Sequence, residues 1–133
     1  MNKFYFFVAL MLSFSCNNPK HISITKVEGS APYLNSSLSL EDIKIDENDY
    51  TFSFDVSDYI LGIQSLKDFD YQLANSAKGQ HIHFIVNNGP YSAHYEDTFT
   101  KQFEDSSNVI LAFLSRSYHE SVKNPNAFIL TQT

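Results

Sequence analysis

The sequence predicts an all-β domain, an antiparallel β-sandwich of about seven or eight strands with an immunoglobulin-like arrangement. Short runs in which apolar and polar residues alternate recur along the 133-residue chain, and this period of two is typical of half-buried strands. Residues that favour turns separate the runs, as at Asn88-Gly89. Several short strands divided in this way are the pattern of a sandwich.

Each strand is predicted from its own pattern. Tyr50, Phe52, Phe54 and Val56 alternate strictly with polar residues, whereas residues 109–114 form a continuous apolar run, typical of a central strand. Residues 64–79 lack clear periodicity and predict a long crossover, and residues 115–127 predict a polar loop. The predicted strands are residues 22–27, 38–45 in two weak pieces, 50–56, 80–87, 91–95, 99–103, 109–114 and 128–130. The residues predicted to be buried are Phe52, Phe54, Phe84, Val86, Leu111 and Phe113.

The N-terminus has the pattern of an export signal. A lysine at position 3 precedes an apolar run at residues 4–12, too short for a spanning helix of roughly 20 residues but suited to a signal peptide. Cys16, the only cysteine, follows directly and is itself followed by polar residues. We therefore expect a signal peptide at residues 1–15, lipidation of Cys16, a tether at residues 16–20 and the β-sandwich at residues 21–133. The alternative is an ordinary signal peptide with a cysteine of no special role.

Charge narrows the classes of partner. Removal of residues 1–15 takes away one lysine and no acid, so the net charge changes from −6 to −7. An acidic domain without a basic cluster argues against nucleic-acid binding and against electrostatic attachment to anionic lipid. The expected location is the cell envelope, with the protein held at the membrane by its lipid.

Histidines concentrate in one predicted hairpin. His81 and His83 are two residues apart in a strand and therefore share a face. If Asn88-Gly89 are the two turn residues, His83 lies directly opposite His94, and His81 lies opposite Glu96. The same register turns Tyr91, Ala93 and Tyr95 to the apolar face.

This hairpin predicts a cluster of three imidazoles and one carboxylate. Such ligands suit Zn²⁺ or Cu²⁺, and three protein ligands leave an open coordination position. His119 lies in the long loop that follows the apolar strand, and it joins the cluster only if the fold brings that loop over the hairpin. Two alternatives stay open: a polar strand face whose histidines stack with tyrosines, and a contact surface for a ligand or partner.

Arg116 is the only arginine and stands at the end of the apolar strand. Its guanidinium suits bidentate binding of an anionic group, and Tyr95 and Tyr118 are further candidates for ligand binding. The alternative is an ion pair with an acid of the same domain. A serine–histidine–acid triad from residues 115–120 lacks a nucleophile elbow and an oxyanion hole, so we predict no catalytic residues and no enzyme.

Residues 78–91 (KGQHIHFIVNNGPY) and 112–121 (AFLSRSYHES) resemble segments of a family of bacterial exported lipoproteins of unassigned function, some loosely labelled phosphopeptide-binding. The resemblance covers roughly residues 50–132. It implies an exported lipoprotein and one shared site formed by His81, His83, His94, Arg116 and His119, but no mechanism. The phosphopeptide label fits a domain of charge −7 with a single arginine poorly.

These observations together predict a lipid-anchored envelope binding protein rather than an enzyme. The first hypothesis is a Zn²⁺ or Cu²⁺ site on the histidine-rich strand face. The second is an interaction module that uses the same face, without metal, for an envelope protein, a peptide or a glycan.

Overall fold

The computed structural model describes residues 23, 24, 26, 29, 30, 32–67 and 69–133. The predicted signal peptide, the tether with Cys16 and half of the first predicted strand (residues 22, 25 and 27) lie outside the described residues. None of the described residues belongs to a helix that is long and apolar enough to cross a membrane.

Seven strands within the described residues form two antiparallel sheets. A three-stranded sheet has the order β1-β2-β5, and a four-stranded sheet has the order β4-β3-β6-β7. The predicted all-β sandwich is confirmed, while its immunoglobulin-like character stays a prediction. The strands are β1 (Ser37–Asp46), β2 (Asp49–Ser57), β3 (His81–Val86), β4 (Ser92–His94), β5 (Thr98–Gln102), β6 (Val109–Ser115) and β7 (Phe128–Gln132).

The three-stranded sheet follows the sequence pattern closely. In β2 the aromatic residues Tyr50, Phe52 and Phe54 are buried and alternate with more exposed polar residues, because successive side chains of a strand point to opposite faces. The two weak pieces predicted at residues 38–45 form one strand, β1, whose pairing with β2 shifts between Leu40 and Asp42. A bulge adds one residue to a strand and thereby explains why the alternation changes phase there.

Aromatic rings fill the space between the sheets. Phe52 is fully buried, and its ring lies 5.0 Å from that of Phe84 and 6.0 Å from those of Phe99 and Phe103, measured between ring centroids. Phe84 also contacts Phe54 and Phe99 edge-on, an arrangement that aromatic pairs prefer. The predicted burial of Phe52, Phe54 and Phe84 is confirmed.

Strand β6 is buried on the opposite set of residues from the one predicted. Ile110, Ala112 and Leu114 are fully buried, whereas Leu111 and Phe113 lie on the outer face and are half-buried. The predicted burial of Leu111 and Phe113 is wrong because a continuous apolar run does not reveal which of its residues face inward. Val86 packs against the core but is also only half-buried.

The outer face of the four-stranded sheet is consequently apolar along β6 and β7. Its exposed side chains include Val109, Phe128 and Leu130, with 49%, 51% and 69% of their surface accessible. The histidines of β3 lie on this same outer face, since His83 pairs with Phe113 in the adjacent strand.

Candidate metal centre

The β3–β4 hairpin has a different register from the one predicted. Asn87 and Asn88 have positive φ angles of 50° and 58°, and the Gly89 N–H donates to the Val86 carbonyl at 2.8 Å. The turn is therefore centred on Asn87-Asn88, and extra residues follow it before β4 begins. Pairing then places Ile82 opposite His94 and His83 opposite Ala93, one residue away from the predicted register.

His94 is removed from the predicted cluster by this shift. Opposed residues share a sheet face, so His94 lies with Ile82 on the inner face. Its ring stacks on Phe99 with 3.4 Å between centroids, and its Nε2 lies 2.9 Å from the Ser92 hydroxyl. Burial, reinforced by the charge of Lys101, lowers the pKa of His94 to about 4.

Glu96 also lies outside the histidine group and is exposed. The prediction that His94 and Glu96 complete a site with His81 and His83 is wrong, because it rested on the shifted register.

Three histidines do come together: His81, His83 and His119. One ring nitrogen from each lies within 4.8 Å of the other two. Nε2 of His83 is 2.8 Å from Nε2 of His81 and 3.5 Å from Nδ1 of His119. Zinc–nitrogen bonds of 2.0–2.1 Å in a tetrahedral site require ligand nitrogens about 3.3 Å apart, so the group needs only small adjustments to surround an ion.

The tautomer of His81 is set by the backbone. Its Nδ1 lies 2.8 Å from the carbonyl oxygen of Gly79. A carbonyl oxygen only accepts hydrogen bonds, so Nδ1 carries the proton, and Nε2 of His81 accepts a hydrogen bond from Nε2 of His83. Such a bond from the second ring nitrogen is the usual companion of a metal-ligating histidine.

The loop before β3 holds the Gly79 carbonyl in place. Gly79 has φ +93°, and a Cβ at this position would lie 2.4 Å from the Ile63 carbonyl oxygen. The next residue, Gln80, is 2% exposed; its N–H donates to the Ile63 carbonyl at 2.7 Å, and its own carbonyl accepts from Gly62 at 2.8 Å. Its side-chain amide donates to the Ile60 carbonyl at 2.6 Å. Glycine is therefore required at position 79, where the chain at residues 79–80 crosses the segment at residues 60–63.

His119 reaches the other two histidines from a tight turn after β6. Its φ of 65° is in the left-handed region, where histidine is enriched among non-glycine residues but still strained. The His119 N–H donates to the Arg116 carbonyl, and the Arg116 N–H donates to the Glu120 carbonyl, both at 2.9 Å. The turn brings the His119 ring to 5.1 Å from His81 and 5.7 Å from His83, measured between centroids.

Two tyrosines flank the histidines, and the predicted register had assigned both to the opposite face. The Tyr91 ring stacks on His83 at 4.1 Å, and the Tyr95 ring lies 5.1 Å from His81. Tyr95 is fixed further by a 2.7 Å hydrogen bond between its hydroxyl and that of Ser76. Tyr95 therefore belongs with the histidines rather than with Arg116.

Burial keeps two of the histidines neutral. His81 is fully buried and His83 is 7% exposed. Burial, followed by the proximity of His81 and His119, lowers the pKa of His83 to about 4. Burial also lowers the pKa of His81, against the opposing effect of its bond to Gly79. Both rings are therefore neutral at neutral pH, and the neutral imidazole is the form that binds metal.

Arg116 and Tyr118 form a separate arrangement. Arg116 is 5% exposed, and its guanidinium carbon lies 4.5 Å from the centre of the Tyr33 ring and 6.0 Å from that of Tyr118. The cavity that Arg116 lines contains none of the three histidines. The single five-residue site implied by the resemblance is thus divided: three histidines lie together, His94 faces the core, and Arg116 faces a different cavity.

Sequence reasoning missed the supporting roles of Gly79, Gln80 and Tyr91. The sequence signal for Gly79 is its position two residues before His81, where a glycine permits a close backbone approach. Comparison with known proteins identifies no relative, since the chain matches no family model, no curated protein and no solved structure.

Proposed function

We propose that the domain binds a transition-metal ion, Zn²⁺ or Cu²⁺, through His81, His83 and His119. The observation that carries the proposal is the convergence of three ring nitrogens within 4.8 Å of one another, with the lone pair of His81 Nε2 oriented by the Gly79 carbonyl. Imidazole nitrogens suit both ions, and three protein ligands leave a position for water or an external ligand.

The chemistry of the surrounding residues supports a binding role. His83 is held between its hydrogen-bonding neighbours and the stacked ring of Tyr91, so little rotamer freedom remains to be lost when a ligand binds. Glu96, the predicted carboxylate, is outside the group, so within the part of the chain that the structure describes the ligand set consists of three imidazole nitrogens.

We also propose that this domain is tethered to the cell envelope by a lipid on Cys16, as in the exported lipoproteins that it resembles. The support is the sequence pattern at residues 1–16.

The metal proposal is tested by titrating Zn²⁺ and Cu²⁺ into protein purified without a histidine tag, using calorimetry at pH 7. We expect one ion per domain and stabilisation of the fold by about 2.7 kcal/mol when the free ion is at a hundred times its Kd. His119→Asn is the best variant, because His119 is exposed and asparagine also tolerates its left-handed conformation. It should lower the affinity by more than about tenfold, the loss that even a supporting residue causes.

His94→Gln is the matched control, since His94 lies on the other face of the same hairpin. It should leave the affinity unchanged. Absence of saturable binding of either ion, or equal losses in the two variants, would refute the metal site.

In that case the alternative becomes the better proposal: an envelope interaction module that binds a peptide, glycan or protein partner without metal. The specific observation that favours it is apolar surface left open towards both edges of the four-stranded sheet: the half-exposed ring of Tyr91 next to β4, and the exposed Phe128 and Leu130 of β7.

A further inference from the structure

A cavity of about 310 Å³ lies beside the metal centre and is separate from it. Three segments meet there: the chain before β1, the turn after β6 that carries His119, and the loop before β7. Its volume is at the lower end of the range for small-molecule sites, roughly 300–1,000 Å³. The lining residues that matter here are Tyr33, Leu34, Arg116, Glu120, Lys123 and Pro125.

The cavity contains charges of both signs. Arg116 is buried, and its guanidinium carbon lies 4.5 Å from the centre of the Tyr33 ring, a distance at which the ring attracts the cation. Lys123 adds a second cation on an exposed side chain. Glu120 supplies a half-buried carboxylate that accepts a hydrogen bond from the Ser30 hydroxyl. A ligand that carries both a negative and a positive group should therefore bind more tightly than a simple anion.

The wall of the cavity is preformed. The side-chain amide of Asn124 donates to the carbonyls of Tyr33, Leu34 and Ser36 at 3.1, 2.8 and 2.9 Å. Its oxygen accepts from the Asn126 N–H at 2.9 Å. These bonds join the segment before β1 to the loop before β7, so binding requires little ordering of the backbone.

Apolar surface completes the lining. Leu34 is 78% exposed and Pro125 is also exposed, and both face the cavity. A site with apolar walls and a few placed polar groups is the usual composition of a small-molecule pocket.

We propose that this cavity binds a small zwitterion, a molecule with one carboxylate, one amine and an apolar side group. Lys123 binds its carboxylate, and Glu120 binds its ammonium group. A free amino acid and a short peptide share this chemistry. A phosphate group is disfavoured, because Glu120 would lie beside it in the same cavity.

The proposal is tested by calorimetric titration of the full chain with four probes: leucine, leucyl-leucine, isovalerate and isoamylamine. Isovalerate lacks the amine and isoamylamine lacks the carboxylate. We expect leucine or leucyl-leucine to bind at least about tenfold more tightly than either single-charge probe, a difference of about 1.4 kcal/mol. The stronger of the two identifies the source as a free amino acid or a peptide.

Glu120→Gln and Lys123→Gln should each weaken the zwitterion by at least about fivefold, equivalent to about 1 kcal/mol. Lys44→Gln is the matched control, because Lys44 is an exposed lysine of β1 that does not line the cavity; it should change nothing. Lys123 is exposed, so its replacement leaves the fold intact. The proposal is overturned if no probe saturates up to about 10 mM, if the zwitterions bind no better than isovalerate, or if Lys123→Gln behaves like Lys44→Gln.

Discussion

Gly79→Ala should destabilise the fold more than any other single-methyl addition near the histidines. The new Cβ would lie 2.4 Å from the carbonyl oxygen of Ile63 and 2.6 Å from its carbon. Both are backbone atoms, so no side-chain rotation relieves the contact, and such overpacking costs about 1–3 kcal/mol. The φ of +93° adds about 1–2 kcal/mol for an L-residue in a left-handed conformation. The expected loss is about 2–5 kcal/mol.

Gly62→Ala is the matched control for this prediction. Gly62 also has a positive φ, +77°, but its nearest neighbour to an added Cβ is 3.9 Å away. It should therefore lose only the conformational part, about 1–2 kcal/mol. Urea denaturation of the two variants measures the difference directly. If Gly79→Ala is no less stable than Gly62→Ala, the inference that the crossing loops clamp the Gly79 carbonyl is refuted.

Three further predictions concern the core, the pH dependence and the anchor. Phe84→Ala should cost about 3–5 kcal/mol in chemical denaturation, through lost burial and a residual cavity; a loss below about 1 kcal/mol would contradict the packing between the sheets. The pKa of His94 is lowered to about 4, so the unfolded chain takes up a proton first as the pH falls, and stability should decline from about pH 6.5 towards pH 4. His94→Gln should reduce that slope in denaturation curves recorded across this range, and an unchanged slope would contradict the assignment. Cys16→Ser should release the protein from the membrane fraction, and unchanged retention there on cell fractionation would end the lipoprotein prediction.

The three-stranded sheet could be predicted because the alternation of apolar and polar residues in β2 is compatible with only one buried face. Tyr50, Phe52 and Phe54 alternate with polar residues, and only one face of such a strand can be buried. The apolar run of β6 has no such asymmetry, so the sequence indicates a strand without indicating which residues face inward.

The prediction of the β3–β4 register was wrong for a different reason. Asn87, Asn88 and Gly89 all tolerate positive φ, so two overlapping turns fit the same residues. In the predicted register, an apolar face is formed by Tyr91, Ala93 and Tyr95. In the observed register the two tyrosines flank the histidines instead, and the sequence is compatible with both arrangements. Apolar character alone does not distinguish a tyrosine in the core from one stacked on an imidazole.

The candidate site was predicted in part. His81 and His83 share a face because they are two residues apart in a strand, and this follows from the sequence directly. The approach of His119 depends on a turn in which this residue has a left-handed conformation. Tertiary contacts decide whether that turn forms, so the sequence predicts the approach only if the fold brings the loop over the hairpin.

The length of the β3–β4 turn determines which side chains surround the histidine pair. Deleting one residue between Asn88 and Tyr91 would move every residue of β4 by one pairing position, which reverses the faces of the strand. His94 would then face His83, and Tyr91 and Tyr95 would turn towards the core. A change of one residue in this turn is thus a single evolutionary step between a three-histidine and a four-histidine neighbourhood, with no histidine gained or lost.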